Sequence, residues 1–441
     1  MNDQERNEDL FAFIQESASM FHTTAALRKR LLDAGFEELK EADDWKISEG
    51  GSYFTSRNGS SLLAFRVGSD LRDLHFQITA AHGDSPTYKV KAVPELEGPG
   101  EYLRLNVEGY GGMIDSTWFD RPLGLAGRVL VREGDRVLSR LLHIEDDVLL
   151  IPNVAIHMNR NINDGYHYNT QVDLLPLFSA GRLKKGDFDK MIAYYLDLDA
   201  DQILAKDLFL VNHQAPSQWG YKKEFISTPK LDDLQCAYVS LEGFLAAKEP
   251  SSINVFCCFD NEEVGSNTKQ GAMSTFLKDC LKRLLLSLGK QDQDYYRAVA
   301  KSFLISCDNA HAVHPNHGEL TDKGNCSYLN KGIVVKEAAN QKYTSDAFSQ
   351  AIFRTICKEA EVPVQSFANR SDMRGGSTLG NLSNTQVSLH AVDIGLPQLA
   401  MHSSYETAGA KDTEYAVRAL TCFFRGNLEI QEAEGFSFQA R

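Results

Sequence analysis

Between Leu10 and Ala34 apolar residues return at helical spacing, with Phe11, Phe13 and Ile14 followed by Leu27, Leu31 and Leu32, and Gly35 stands where a helix would stop. Leu62–Val67 and His75–Ala81 are short apolar runs bounded by Gly, Ser and Asp, which predicts half-buried or buried strands. From about Val90 to Gln171 the texture changes. Short alternating runs (Tyr102–Val107, Arg128–Val131, Val148–Ile151) are separated by Gly and charged turns, and little helical pattern appears before Phe188. We read this stretch as an inserted, mainly β module. After it, helix and strand alternate: Leu234–Ala247, Met273–Leu288 and Ser345–Glu359 read as helices, Ile253–Phe259, Ser302–Ser306 and Gln398–Met401 as strands. Such alternation predicts an α/β fold, a mostly parallel mixed sheet flanked by helices. The expected organisation is an α/β domain formed by residues 1–90 and 231–441, interrupted by a β-rich module at 91–230.

Composition narrows the partners. The 441 residues are 43% hydrophobic and 24% charged, enough apolar material for a large core. Sixty acidic against 46 basic residues leave a net charge of -14, a surface that repels phosphate backbones and anionic lipid, so no nucleic acid and no membrane partner is expected. No apolar run approaches the roughly 18 to 20 residues of a membrane span. The eight cysteines form no C-x-x-C pair and mostly sit in apolar runs, and the start of the chain has no signal-peptide pattern. A soluble protein of the reducing cytoplasm is expected.

In an open α/β sheet, ligands bind beyond the carboxyl ends of the strands. Four predicted strand ends deliver His, Asp or Glu: His82-Gly83-Asp84 after the second strand, Asp260-Asn261-Glu262-Glu263 after Phe259, Asp308 to His314 after Ser306, and His402 after Met401. Each signal alone is weak; their conjunction points to a metal site. Imidazole and carboxylate without thiolate suit Zn²⁺, Co²⁺ or Mn²⁺, and the set is large enough for two ions sharing a bridging carboxylate. Asp84 fits either a role behind His82, orienting its ring, or a turn cap before Pro86. Of the adjacent Glu262 and Glu263, one can bind metal while the other acts as general base. Asp232, by position alone, reads as a helix N-cap.

These residues lie in segments that resemble the M18 aminopeptidases, the aspartyl aminopeptidase family of dinuclear zinc exopeptidases. The similarity runs through Ala81–Pro86, Thr117–Leu123 with Ala126–Val129, Ile151–His157, Lys230–Asp232, Phe259–Ser266, Ala310–Asn316 and Met401–Ser403. It implies that His82 and Asp308 hold one metal, Glu263 and His402 the other, with Asp232 bridging them, which overrides the cap reading. Glu262 would be the general base, taking a proton from water that attacks the first peptide carbonyl. His157 would reach a neighbouring subunit's active site and help hold the tetrahedral intermediate. The resemblance also implies that the β module is a dimerisation domain, that dimers build a dodecamer, and that short peptides are the substrates.

For substrate choice, Lys336 matches a family lysine near the first side-chain pocket, where it could receive an Asp or Glu carboxylate, and His311 and His314 are candidates for the same region. Three departures bear on this. Gly83 replaces a more typical Thr, Asp233 a more typical Asn, and Arg374-Gly375 a Pro-Cys pair. Arg374 would add positive charge near the pocket or simply lie on the surface. Three readings therefore stand: an aminopeptidase preferring acidic N-termini, the same chemistry with a neutral, Leu-like preference, and a non-catalytic oligomeric scaffold. The spare carboxylate Glu262 speaks against the last, because a structural zinc site is closed by four ligands and needs no base.

Overall fold

A computed structural model describes every residue except Glu249 and Arg441. The chain forms two compact units, one from Met1–Asp84, Pro216–Met401 and Glu406–Arg441, the other from Ser85–Ala215 and His402–Tyr405. The sequence reading set the junctions at 90/91 and 230/231. The observed ones fall earlier because Thr87–Glu97 pairs with barrel strands of the second unit, while Ser217–Trp219 and Phe225–Thr228 pair onward to Glu406–Gly409 of the first.

The first unit is built on a nine-stranded sheet in the order Glu37–Glu38, Ser52–Arg57, Ser61–Val67, Ile253–Phe259, Phe76–His82, Phe303–Cys307, His390–Gly395, Ile333–Lys336 and Val364–Phe367. Phe76–His82 is the pivot: it pairs in parallel with Ile253–Phe259 on one side and Phe303–Cys307 on the other. Both faces are covered, so these strands are continuous apolar runs rather than alternating ones. In Ile253–Phe259 the period of two sends Val255, Cys257 and Phe259 into one core and Phe256 and Cys258 into the other. The helix Leu231–Ala246 packs on Phe76–His82 and on the helix Asp412–Arg425. Its Phe244 is fully buried, with ring centroids 5.5 Å from both Phe36 and Phe424. Truncating such a ring to Ala costs about 3–5 kcal/mol.

Two sequence expectations change. The single helix over Leu10–Ala34 is two, Asp3–Glu16 and Met20–Asp33. The polar step Glu16-Ser17 ends the first, extended Ser19 (φ -144°) precedes the second, and Lys230 Nζ donates to the Ser17 carbonyl at 2.6 Å. The strand expected at Gln398–Met401 is the short Pro397–Leu399, which pairs antiparallel with Glu406–Gly409 in a separate five-stranded sheet. The place beside Phe303–Cys307 in the main sheet belongs to His390–Gly395.

The second unit is a closed six-stranded antiparallel barrel in the order Ile203–Asn212, Thr87–Glu97, Tyr102–Tyr110, Leu177–Ala180, Arg136–Leu150 and Pro122–Glu133. Closure removes the exposed edges that an inserted sheet would otherwise present. Leu105, Leu125, Val129 and Leu208 share its core with Phe188 and Ile192 of the helix Asp187–Leu196. The Glu95 carboxylate accepts the Gly186 and Phe188 amides at that helix's start. The architecture is thus α/β with a mixed sheet and a separate antiparallel β unit. Among the described residues no helix is long and apolar enough to cross a membrane.

Candidate metal centre

The parallel strands around Phe76–His82 end together, and the main sheet reverses its direction of growth there, the position where α/β sheets open a crevice. His82 is the last residue of its strand and faces Phe259 in the register. Asp260 to Glu263 continue from Phe259, and Asp308 follows the strand ending at Cys307. Asp232 and Asp233 come from the first turn of Leu231–Ala246, where their dihedrals are not helical and the peptide between them is cis. The Asp232 amide donates to Glu406 Oε2 at 3.0 Å. Its carboxylate therefore points to the site, not back to a helix start, which removes the cap reading.

Within the first unit, two groups of side chains each bring one ligand atom per residue within 4.8 Å of one another: His82, Asp232, Asp233 and Asp308, and His82, Glu262 and Glu263. His82 is fully buried, and its Nε2 faces Asp232 Oδ1 at 3.5 Å and Glu262 Oε2 at 3.9 Å without making a hydrogen bond. On the other side of the ring, Nδ1 lies 3.1 Å from the Asp84 carbonyl oxygen and 3.4 Å from its Oδ1. Asp84 also accepts the Glu262 amide on Oδ1 and the Glu263 amide on Oδ2, both at 3.2 Å. One carboxylate thus fixes the imidazole and the Glu-Glu turn together.

The electrostatics describe donors gathered for a cation. Burial raises the Glu263 and Asp308 carboxyls above their ordinary range, and the neighbouring carboxylates raise them further. Glu262 is pushed up to about 8, by burial first and then by Asp308, Asp84 and Asp232. For His82, burial opposes the charge, yet Asp233, Asp232, Asp84 and Glu262 hold its pKa well above the usual value. A buried imidazole nitrogen without a hydrogen bond, faced by several carboxylates and no thiolate, fits a divalent cation of the Zn²⁺, Co²⁺ or Mn²⁺ kind.

Asp233 is a residue the sequence reading passed over as a departure from the usual Asn. Its carboxylate, fully buried, accepts the backbone amides of His82 at 3.1 Å and Asn309 at 3.2 Å, so it ties two strand ends to the helix start. An acidic residue beside Asp232 was the available signal. Gly83 has a steric reason: a Cβ there would lie 3.0 Å from Thr23 Cγ2 and 3.1 Å from Cys258 Sγ.

The specificity candidates are scattered. Lys336 is only 3% exposed, and its ammonium donates to the Asp308 carbonyl at 2.6 Å and the Asn309 carbonyl at 3.3 Å, and lies 3.6 Å from Asp308 Oδ1. It is not a surface lysine, and two of its three donors are taken by backbone carbonyls. His311 is exposed at the end of Ala310–His311, its ring 6.1 Å from Phe367. His314 is exposed and accepts the Asn316 amide at 3.2 Å, and Arg374 is exposed in an irregular stretch. A half-open cavity of about 1010 Å³ lies between Glu337, Arg354, Asn369 and Arg370 and is lined by none of the metal-ligand candidates.

In the second unit, His157 is exposed between Ile156 (48%) and Met158 (84%) in the irregular stretch after Ile151. His402 has a left-handed backbone (φ 66°) in the segment grouped with this unit. The His402 carbonyl accepts the Ile114 amide at 3.0 Å. Ser404 bonds Thr117 through both its amide and its hydroxyl, its carbonyl accepts from Asn212 at 2.8 Å, and the Tyr405 hydroxyl donates to the Ala215 carbonyl at 2.7 Å.

A mixed α/β sheet with a His- and carboxylate-lined centre at its strand ends defines a metallohydrolase type of architecture. Comparison with known proteins gives the family. Residues 13–424 match the family described as Aminopeptidase I zinc metalloprotease (M18). The chain is 45% identical over 423 residues to a probable M18 family aminopeptidase 2 of Clostridium novyi, covering 94% of this chain and 98% of that one. It superposes on the cryo-EM structure of the Ape4 and Nbr1 complex with a TM-score of 0.92 at 34% identity, covering 96% of this chain and 86% of that one. The S. cerevesiae mApe1 dodecamer shares the fold, with a TM-score of 0.83 at 24% identity over 95% of each chain. The chain belongs to the M18 family and is an aminopeptidase.

Proposed function

We propose that the protein removes N-terminal residues, preferentially Asp and Glu, from short peptides, using two divalent metal ions, zinc first, and Glu262 as general base. The observation that carries this reading is the convergence of His82, Asp232, Asp308, Glu262 and Glu263 at the carboxyl ends of adjacent strands. His82 and Asp308 would hold one ion, Glu263 and His402 the other, and Asp232 would bridge. When bound, the ions supply Lewis-acid polarisation of a peptide carbonyl and acidify water.

The chain's own groups do the rest. Glu262, whose pKa burial and neighbouring carboxylates lift toward neutrality, takes the proton from the attacking water and returns it to the leaving amine. Asp84 fixes the turn that carries Glu262 through two amide bonds. The partner subunit's His157 would donate to the developing oxyanion. The exposed Val154, Ile156 and Met158 around that histidine suit a stretch covered by a second copy, in a dodecamer built from dimers through the β unit.

A second reading keeps the chemistry but gives a neutral, Leu-like preference. Lys336 favours it, because the ammonium is buried with two of its three donors on the Asp308 and Asn309 carbonyls, and Arg374 lies exposed on a loop. The test is amino-acid release from matched Asp-, Glu- and Leu-initiated peptides with Zn²⁺, Co²⁺ or Mn²⁺ and with chelator. Metal-dependent release with Asp and Glu ahead supports the first reading; Leu ahead supports the second. Glu262→Gln retaining metal but losing about 10²–10⁴-fold in kcat supports the base assignment, and undiminished turnover removes it.

A further inference from the structure

We infer that the β unit carries a second, independent metal site, formed by His143 and His213 and taking a nitrogen-preferring transition-metal ion such as Zn²⁺ or Cu²⁺. It rests on no part of the peptidase reading. His213 follows directly on the strand Ile203–Asn212, and His143 lies in Arg136–Leu150. Their rings stand 5.9 Å apart, centroid to centroid, with planes inclined at 57°. Two imidazoles bound to one tetrahedral ion through nitrogens at roughly 2.0–2.1 Å have their ring centres about 5 Å apart, so a small adjustment of side chains closes the site.

The local backbone is shaped around this pair. Leu123 pairs with Leu149 while Leu125 pairs with Ile144, so residues 145–148 loop out opposite Gly124. Bulges of this kind re-aim side chains next to sites. From the loop, Asp147 Oδ1 accepts His213 Nδ1 at 3.0 Å. That bond fixes the tautomer and leaves the Nε2 lone pair available, the arrangement found behind metal-bound histidines. His213 Nε2 is itself buried and makes no hydrogen bond. Its ring lies against Gly124, where any Cβ would overlap His213 Cε1 and the Ile144 carbonyl oxygen. Asp147 thus sets a carboxylate beside the pair, and the exposed Glu145 and Asp146 of the same loop add negative charge to the strand that carries His143. Two imidazoles leave the remaining positions to water, unlike the carboxylate-rich centre of the other unit.

The experiment measures Zn²⁺ stoichiometry at saturation for full-length wild type, His213→Gln and His143→Gln, and records the electron paramagnetic resonance spectrum of separate samples loaded with Cu²⁺ in place of Zn²⁺. One further equivalent of metal in the wild type, lost in either variant, with two nitrogens coupled to copper, is the expected result. Asp147→Asn should weaken this extra equivalent about 10- to 100-fold while amino-acid release is unchanged. Equal stoichiometry in wild type and folded variants overturns the site. Should a variant fail to fold, a wild-type copper spectrum without two-nitrogen coupling overturns it equally.

Discussion

Lys336 donates to the backbone carbonyl of Asp308 at 2.6 Å and stands 3.6 Å from the same residue's carboxylate. Burial disfavours the ammonium, but Asp308 and Asp393 keep its pKa above the ordinary lysine value. A cation so placed acts on a proposed metal ligand before it acts on any substrate. Lys336→Met should therefore destabilise the metal-free protein by about 3–5 kcal/mol, the cost of breaking a buried pair. The ratio of kcat/KM for Asp- over Leu-initiated peptides should change less than about threefold, because neither reaction loses a direct contact. If the Asp preference collapses while Leu turnover is intact, the ammonium faces the substrate after all.

Asp84 joins His82 to the Glu262-Glu263 turn, and both its oxygens accept amides. Asn in its place has one acceptor for two donors. Asp84→Asn should weaken zinc binding about 10- to 100-fold, measured by titration against a competing chelator. Unchanged affinity would reduce Asp84 to a turn residue.

At Gly83 the resemblance expects a threonine, yet Thr23 and Cys258 fill that space. Gly83→Thr should lower stability by about 1–3 kcal/mol through overpacking, read from thermal melting. Adding Cys258→Ala should recover part of the loss. Additive effects in the double variant would show that the two positions do not compete for room.

Asp412 opens the helix Asp412–Arg425, fully buried, and accepts the Asn330 amide at 2.6 Å and the Gly332 amide at 3.0 Å. Burial pushes its pKa up to about 7, against those two donors. A raised carboxyl pKa means the folded state holds a proton that the unfolded state has released. This group's contribution therefore falls as pH rises from about 4 to about 7 and is constant above. Relative to wild type, Asp412→Asn should gain about 1 kcal/mol or more between pH 5 and pH 8 in urea midpoints. A pH-independent difference would rule out the titration.

Much of this centre was legible because α/β sheets place chemistry just beyond their strands. His82, Glu262, Glu263 and Asp308 each follow an apolar run whose period and flanks are unmistakable. What escaped depended on long-range contact. Leu10–Ala34 looks like one helix because the polar step at Glu16-Ser17 interrupts the period by only a few residues. His390–Gly395 stood next to another apolar run, and nothing local says which of the two joins the main sheet. The direction of the Lys336 side chain follows from its register opposite Asp393, a pairing between strands far apart in sequence. Asp233 stood out only as a departure from the usual Asn, because its bonds to the His82 and Asn309 amides join positions far apart in sequence.

The segment from His402 to Tyr405 is only four residues long, yet Ile114, Thr117, Asn212 and Ala215 of the barrel unit supply its hydrogen bonds. A shortened gene splicing residue 84 to residue 216 would still encode all of the proposed metal ligands. It would strip the turn bearing one of them of the backbone partners that shape it. On the proposed ligand set the insertion is no detachable accessory. Engineers seeking a minimal peptidase from this scaffold would have to rebuild that turn before they could discard the barrel.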